Sequence, residues 1–129
     1  MNKRILITGT VLGLISIILG AFASHGLKES LTPESLRSFE IGVKYQMYHA
    51  LFLLFLGCFK DLSQKHKRYI YIFTLVGIIL FSFSIYALST QIITNINFKP
   101  IGFITPIGGL FLIIAWGLLL VGLAKNKRI

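Results

Sequence analysis

Acidic residues are scarce in this 129-residue chain. There are four, Glu29, Glu34, Glu40 and Asp61, and none lies inside a long apolar run. That argues against a membrane carboxylate of the kind that couples protons or cations to transport. It also leaves no acid within a run to orient a catalytic base. Cysteine is nearly absent. Cys58 stands alone, so no intramolecular disulfide is available, and its apolar surroundings predict a buried small side chain. Charged residues make up 13% of the chain and hydrophobic ones 55%, with a mean hydropathy of +0.81. A soluble domain carries about 25% charged residues. The chain therefore has too little polar surface to cover itself in water. Its net charge of +9 does not point to nucleic acid, because the basic residues flank apolar runs, as membrane-flanking charges do.

What is present is four long apolar runs. The first spans Ile5 to Ser24, about 30 Å as a helix and long enough to cross a bilayer. Gly9, Gly13, Ser16 and Gly20 share one face of it, which lets another helix approach closely. The same stretch, with Lys3 and Arg4 before it and Ala21-Phe22-Ala23 near its end, also matches a cleavable signal peptide. Its length and small-residue face favour a retained helix. Thr32 and Pro33 are the N-cap and first residue of a helix running to Phe59. Leu36, Phe39, Val43 and Met47 make its first turns amphipathic, an interfacial segment ahead of the second span. Lys44 sits four residues after Glu40 and can snorkel to headgroups. Residues 60 to 68, KDLSQKHKR, read as a basic loop with a solvated His66. The third span runs from about Tyr69 to Thr90. Thr105 and Pro106 read as the N-cap and first residue of the fourth, ending near Ala124. The expected fold is a single all-α domain over residues 1–129, an integral membrane four-helix bundle with spans of about 5–24, 41–59, 69–90 and 104–124.

Nine of the thirteen basic residues lie in the N-terminus, the middle loop and the tail. The positive-inside rule then places both termini in the cytoplasm. Tyr69 and Tyr71 would mark the inner interface and Tyr86 the outer one. In that topology the polar residues of the spans gather in the outer half. The expected polar pocket is His25, Tyr45, Gln46, His49, Ser84 and Thr105. Gly42, Ala50 and Gly57 share a face with Gln46, which suits packing against another helix. The helix-packing set is Gly9, Gly13, Gly20, Gly42, Gly57, Gly108 and Gly109. Two readings compete for the polar set: a pocket opening outward, or hydrogen-bonded glue between helices at about 0.6 kcal/mol per contact. His25 and His49 are conceivable metal ligands, but two histidines without a third ligand are weak evidence. No metal or cofactor is expected.

Four motifs bring a family into view. GAFASHGLK at 20–28, FEIGVKYQMYHAL at 39–51, LFSFSIYAL at 80–88 and ITPIGGLFLIIAWGLLL at 104–120 resemble the membrane-protein family numbered 423 among the domains of unknown function. Its eukaryotic relatives are small transmembrane proteins. The resemblance covers nearly the whole chain and implies a retained first helix in a four-span bacterial inner-membrane protein. Ala23 and Ser24 depart from the family's GAFGAHG, and Phe83 stands where its FSGSLY has glycine, which would block a close helix contact there. The resemblance brings no activity or catalytic residue.

Three functional classes follow, in decreasing order. The first is a non-catalytic interaction or assembly protein whose partners are the lipid bilayer and either a second copy or another membrane protein. The second is a small oligomeric carrier or channel, or a lipid- or small-molecule-binding protein. The third is an enzyme, for which the spans offer His, Ser and Tyr but no orienting acid.

Overall fold

Two of the long helices begin where the sequence supplies a cap. Thr32 is extended, its hydroxyl accepts from Ser35 N at 3.1 Å, and Pro33 takes the first helical position, where a missing N–H costs nothing. Ser63 accepts from His66 N at 3.1 Å in the same way. The computed structural model describes residues 2–127. It contains four helices long and apolar enough to cross a membrane: α1 (Asn2–Leu27), α2 (Pro33–Cys58), α3 (Gln64–Ser89) and α4 (Ile104–Lys125). A single helical turn, Gln91–Thr94, and a 3₁₀ turn, Lys99–Ile101, fill the α3–α4 connection. No strand occurs among the described residues.

The helices alternate in direction. α1 lies along α2, α3 lies along α4, and α2 and α3 join the two hairpins. Burial follows that order. In the most apolar window of each helix, 44% of α2 and 39% of α3 is buried, against 22% of the two outer helices. Asn2 meets Lys67, and Asn126 meets Asp61, at one end, here the terminal pole. The 28–32 and 90–103 connections form the opposite pole.

The 26 residues of α2 form one unbroken helix of about 39 Å, some 9 Å longer than a bilayer's hydrocarbon core. Its amphipathic first turns and its second-span portion are therefore one rod. Phe39 is buried, and with Leu36 and Val43 it packs on Ala23, Leu27 and Leu31. A larger cluster, including Ile5, Leu12, Leu53, Leu56, Ile70 and Leu112, fills the rest of the interior.

Lipid tails are as apolar as leucine, so close backbone approach and interhelical hydrogen bonds must hold such a bundle together. A methyl added at Gly9 would lie 2.9 Å from the Ala50 carbonyl oxygen, and one at Gly42 would lie 2.7 Å from the Tyr86 ring. Gly57 is closed off by Leu6, and Gly108 is pressed on the α3 backbone at Phe81. Gly13, Gly20 and Gly109 leave ordinary room, 3.6–3.7 Å to the nearest atom. Gly77 and Gly122, outside the expected set, admit Leu112 and His66 against the backbone.

Several local expectations change. The basic stretch 60–68 is half helix, because Ser63 caps α3 at Gln64. His66 is not solvated: its Nε2 lies 2.6 Å from the Leu118 carbonyl oxygen, so that nitrogen carries the proton and donates. Lys67 is fully buried, its Nζ donating to Asn2 Oδ1 at 3.2 Å. Cys58 is exposed rather than buried, since α2 turns Leu56 and Gly57 inward beside it. Thr105 does not cap α4, which starts at Ile104. Phe83 points outward, 42% exposed, so it obstructs no helix contact. α1 and α3 each contain a π turn, Ala23–Leu27 and Ile79–Phe83, which apolar periodicity does not reveal.

Candidate functional site

Gln46 lies at the crossing of α1, α2 and α3 and is completely buried. Its Nε2 donates to the Leu12 carbonyl on α1 at 2.9 Å, and its Oε1 accepts from Tyr86 Oη on α3 at 2.7 Å. One side chain thus ties three helices. The absence of a side chain at Gly42, one turn earlier, lets the Tyr86 ring pass. Next to it, Ser82 Oγ donates to the Gly42 carbonyl at 2.8 Å. The π turn of α3 aims its serines at different neighbours. Ser82 faces α2, while Ser84 pairs with Thr105 of α4 at 2.6 Å.

His49, 4% exposed, joins α2 to α4. Trp116 Nε1 lies 3.1 Å from His49 Nε2, and His49 Nδ1 lies 2.7 Å from the Tyr45 carbonyl oxygen. An indole N–H can only donate, so Nε2 must accept and Nδ1 must carry the proton. Both nitrogens are engaged, and the neutral Nδ1–H tautomer is the form these two bonds require. The rings meet edge to face at 6.2 Å, and Phe52 packs on the indole at 4.4 Å.

The six expected pocket residues are therefore not brought into one pocket. Gln46 bonds into the α1–α2–α3 crossing, Ser84 pairs with Thr105, and His49 pairs with Trp116. Tyr45 is 40% exposed and packs against Tyr48 and Phe81. His25 is exposed near the end of α1. Gly9 of α1 lies against Ala50 of α2, so His25, sixteen residues further along, is about 24 Å from the level of His49. The two histidines share no site. Among the described residues, no three His, Cys, Asp or Glu gather where they could hold a metal ion. No buried side-chain nitrogen or oxygen among them lacks a partner.

Two participants escape a reading of the sequence. Tyr86 reads as an interface marker, but its hydroxyl turns inward to Gln46. Trp116, in the half of the fourth span away from the expected polar set, meets His49 near the middle. The available signal was its donor-only chemistry opposite a buried acceptor, which requires knowing that α2 and α4 face each other.

Beside this saturated interior two open recesses lie between α2 and α4, with α3 as their floor. The one near the opposite pole, about 430 Å³, is lined by Glu34, Ser35, Ser38, Ser89 and Thr105, with Ile85, Leu88 and Gly102. Deeper lies a recess of about 460 Å³ lined by Tyr45, His49, Phe81, Gly109, Leu112, Ile113 and Trp116. The same helix faces line both. Residues 38 and 45 of α2, 81 and 88 of α3, and 105 and 112 of α4 are each seven apart, about 20° from exact alignment.

The family model described as "Protein of unknown function (DUF423)" matches residues 19–109. The UPF0382 membrane protein SSP2132 of Staphylococcus saprophyticus is 36% identical, over 95% of this chain and 98% of its own length. A UPF0382 membrane protein of Haemophilus influenzae is 35% identical over the full length of both chains. The UPF0382 inner membrane protein YgdD of Escherichia coli is 30% identical, over 98% of this chain and 94% of its own. No solved structure matches. With four apolar helices of spanning length and relatives that align from end to end, this chain is a multi-pass membrane protein that belongs to the DUF423 family.

Proposed function

We propose that this chain is a non-catalytic interaction or assembly protein of the bacterial cytoplasmic membrane, with both termini in the cytoplasm. The observation that carries this reading is the saturation of the buried polar groups. Gln46, His49, Tyr86, Ser82 and Ser84 spend their polar atoms on one another, on backbone carbonyls or on neighbouring helices. A general base must offer its lone pair to the substrate's proton, and that of His49 Nε2 is held by Trp116. A carrier needs a pathway, and the interior polar atoms are already paired. The surfaces left to act are those turned to lipid, such as Leu14, Ile17 and Ile18 on α1, each more than half exposed. They suit a second copy or another membrane protein as partner. The clustering of basic residues at the terminal pole supports the orientation.

Two measurements test this. Reporter fusions at the C-terminus and in the 90–103 connection should report cytoplasmic and external positions respectively, and the reverse pattern would refute the orientation. Cross-linking in intact membranes should trap the chain in a complex. For function, His49→Asn is informative. If it folds with wild-type thermal stability, assembles normally and still abolishes the cellular role, the non-catalytic reading fails.

A further inference from the structure

We propose that the two recesses between α2 and α4 form one lateral cleft that binds a phospholipid with an amine headgroup, held head at the opposite pole and tail toward Trp116. The proposal goes beyond the interaction reading and stands independently of it, because it concerns the open cleft and not the saturated interior.

The cleft changes character along its length. At its mouth Ser35, Ser38, Ser89 and Thr105 supply hydroxyls, and Glu34 is the one ionisable side chain in the lining. A carboxylate among lining hydroxyls favours an ammonium and disfavours an anionic headgroup. Deeper, the walls are Tyr45, Phe81, Gly109, Ile113 and Trp116. The polar atoms of His49 there are consumed by Trp116 and Tyr45. What remains is an apolar trough. The order, polar then apolar, is that of a phospholipid, and so is the depth. The first turns of α2 that carry Glu34, Ser35 and Ser38 extend beyond a hydrocarbon core of about 30 Å into headgroup territory. His49 lies about 22 Å further down the helix axis from Glu34.

The cleft is lateral, so a lipid enters from the bilayer without leaving it. Ile113 on its rim is 68% exposed and Trp116 50% exposed. A transmembrane helix of a partner is a poorer occupant. With side chains it is about 10 Å across, whereas the cleft is bridged at its deep end by one indole that spans from α4 to His49 on α2. Gly109 keeps the trough open. A methyl there would sit 3.6 Å from the Phe81 ring, at ordinary contact, so a larger side chain would project into the space a tail occupies.

The test is native mass spectrometry of the full chain released from nanodiscs of phosphatidylethanolamine and phosphatidylglycerol at about 3:1, the proportions chosen so that enrichment is measurable against an anionic competitor. The wild-type chain should retain one lipid, enriched in phosphatidylethanolamine over its share of the bilayer. Glu34→Gln should still retain a lipid, with its enrichment reduced roughly threefold, the scale of an exposed ion pair. Gly109→Leu should abolish retention. Gly117→Leu should retain lipid as wild type, since Gly117 adds the same bulk to α4 where nothing lies within 4 Å and does not line the cleft. If Gly109→Leu fails to fold by circular dichroism, Gly109→Ala decides the point: it should keep wild-type helicity and lose part of the retention. No retained lipid on the wild-type chain overturns the proposal, as does equal loss in the Gly117 variant. A second copy held in place of lipid, and released by substitution at Gly109, also overturns it and makes the cleft a helix-docking face.

Discussion

The Gln46–Tyr86 pair offers the most direct check on what holds the bundle together. Gln46→Leu keeps the apolar volume of the crossing but removes two interhelical bonds, one to the Leu12 carbonyl and one from Tyr86 Oη. At about 0.6 kcal/mol per bond inside a membrane protein, that is ~1.2 kcal/mol. The two former partners differ in what they lose. Leu12 O still accepts from Ser16 Oγ at 2.8 Å, so it is not stranded. Tyr86 Oη loses the acceptor of its proton but keeps Ser82 beside it, so the further cost falls at the low end of the ~1–3 kcal/mol of an unpartnered buried hydroxyl. Tyr86→Phe removes that hydroxyl at its source but leaves Gln46 Oε1 unpaired. The double variant removes both halves together. It should therefore be less destabilised than the sum of the singles, with a coupling of about 0.6–1.7 kcal/mol. The assay is reversible unfolding in bicelles by detergent titration, followed by circular dichroism and by the single tryptophan, Trp116. Additivity within about 0.3 kcal/mol would refute the claim that Gln46 acts as a three-helix tie through Tyr86.

Two further predictions concern the same physics. Trp116→Phe keeps an aromatic ring beside Phe52 but strips His49 Nε2 of its donor, and should cost about 0.5–1.5 kcal/mol in the same unfolding assay; no loss would mean that the His49–Trp116 bond contributes nothing. Gly108→Ala drives a methyl into the α3 backbone at Phe81 and should destabilise by about 1–3 kcal/mol. Gly13→Ala, with its nearest neighbour at 3.7 Å, should be neutral or gain up to about 1 kcal/mol from helix propensity. Equal effects at the two glycines would sink the assignment of close contact to Gly108.

Much of the fold was legible because a bilayer imposes its own rules. Long uncharged runs had to become helices, since backbone groups in hydrocarbon must be satisfied within the segment. Thr32-Pro33 marked the start of α2 because capping is local chemistry. Thr105-Pro106 carried the same signature and misled, because the Thr105 hydroxyl is spent on Ser84 of another helix. Stretch 60–68 looked like a loop because it is charged. Yet Lys67 is buried, its amine met by Asn2 from a segment sixty-five residues away. Gln46 and His49 were visible as exceptions, since polar side chains in a span need partners. Which partners they had was not visible.

That division has a physical cause. The sequence by itself determined class, number of helices, their approximate bounds and the presence of buried polar residues. Each of these depends on a property read along one segment: apolar length, cap chemistry, charge. The choice between pocket and glue depended on pairings across helices, Gln46 with Tyr86, Ser84 with Thr105, His49 with Trp116. These follow from how each helix is rotated about its axis and from the π turn that re-aims Ser82 and Ser84, which no single helix specifies. The recesses between α2 and α4 are likewise a property of the assembly. They exist because α2 and α4 are bridged by a side chain rather than packed backbone to backbone, and only the tertiary structure could reveal that gap.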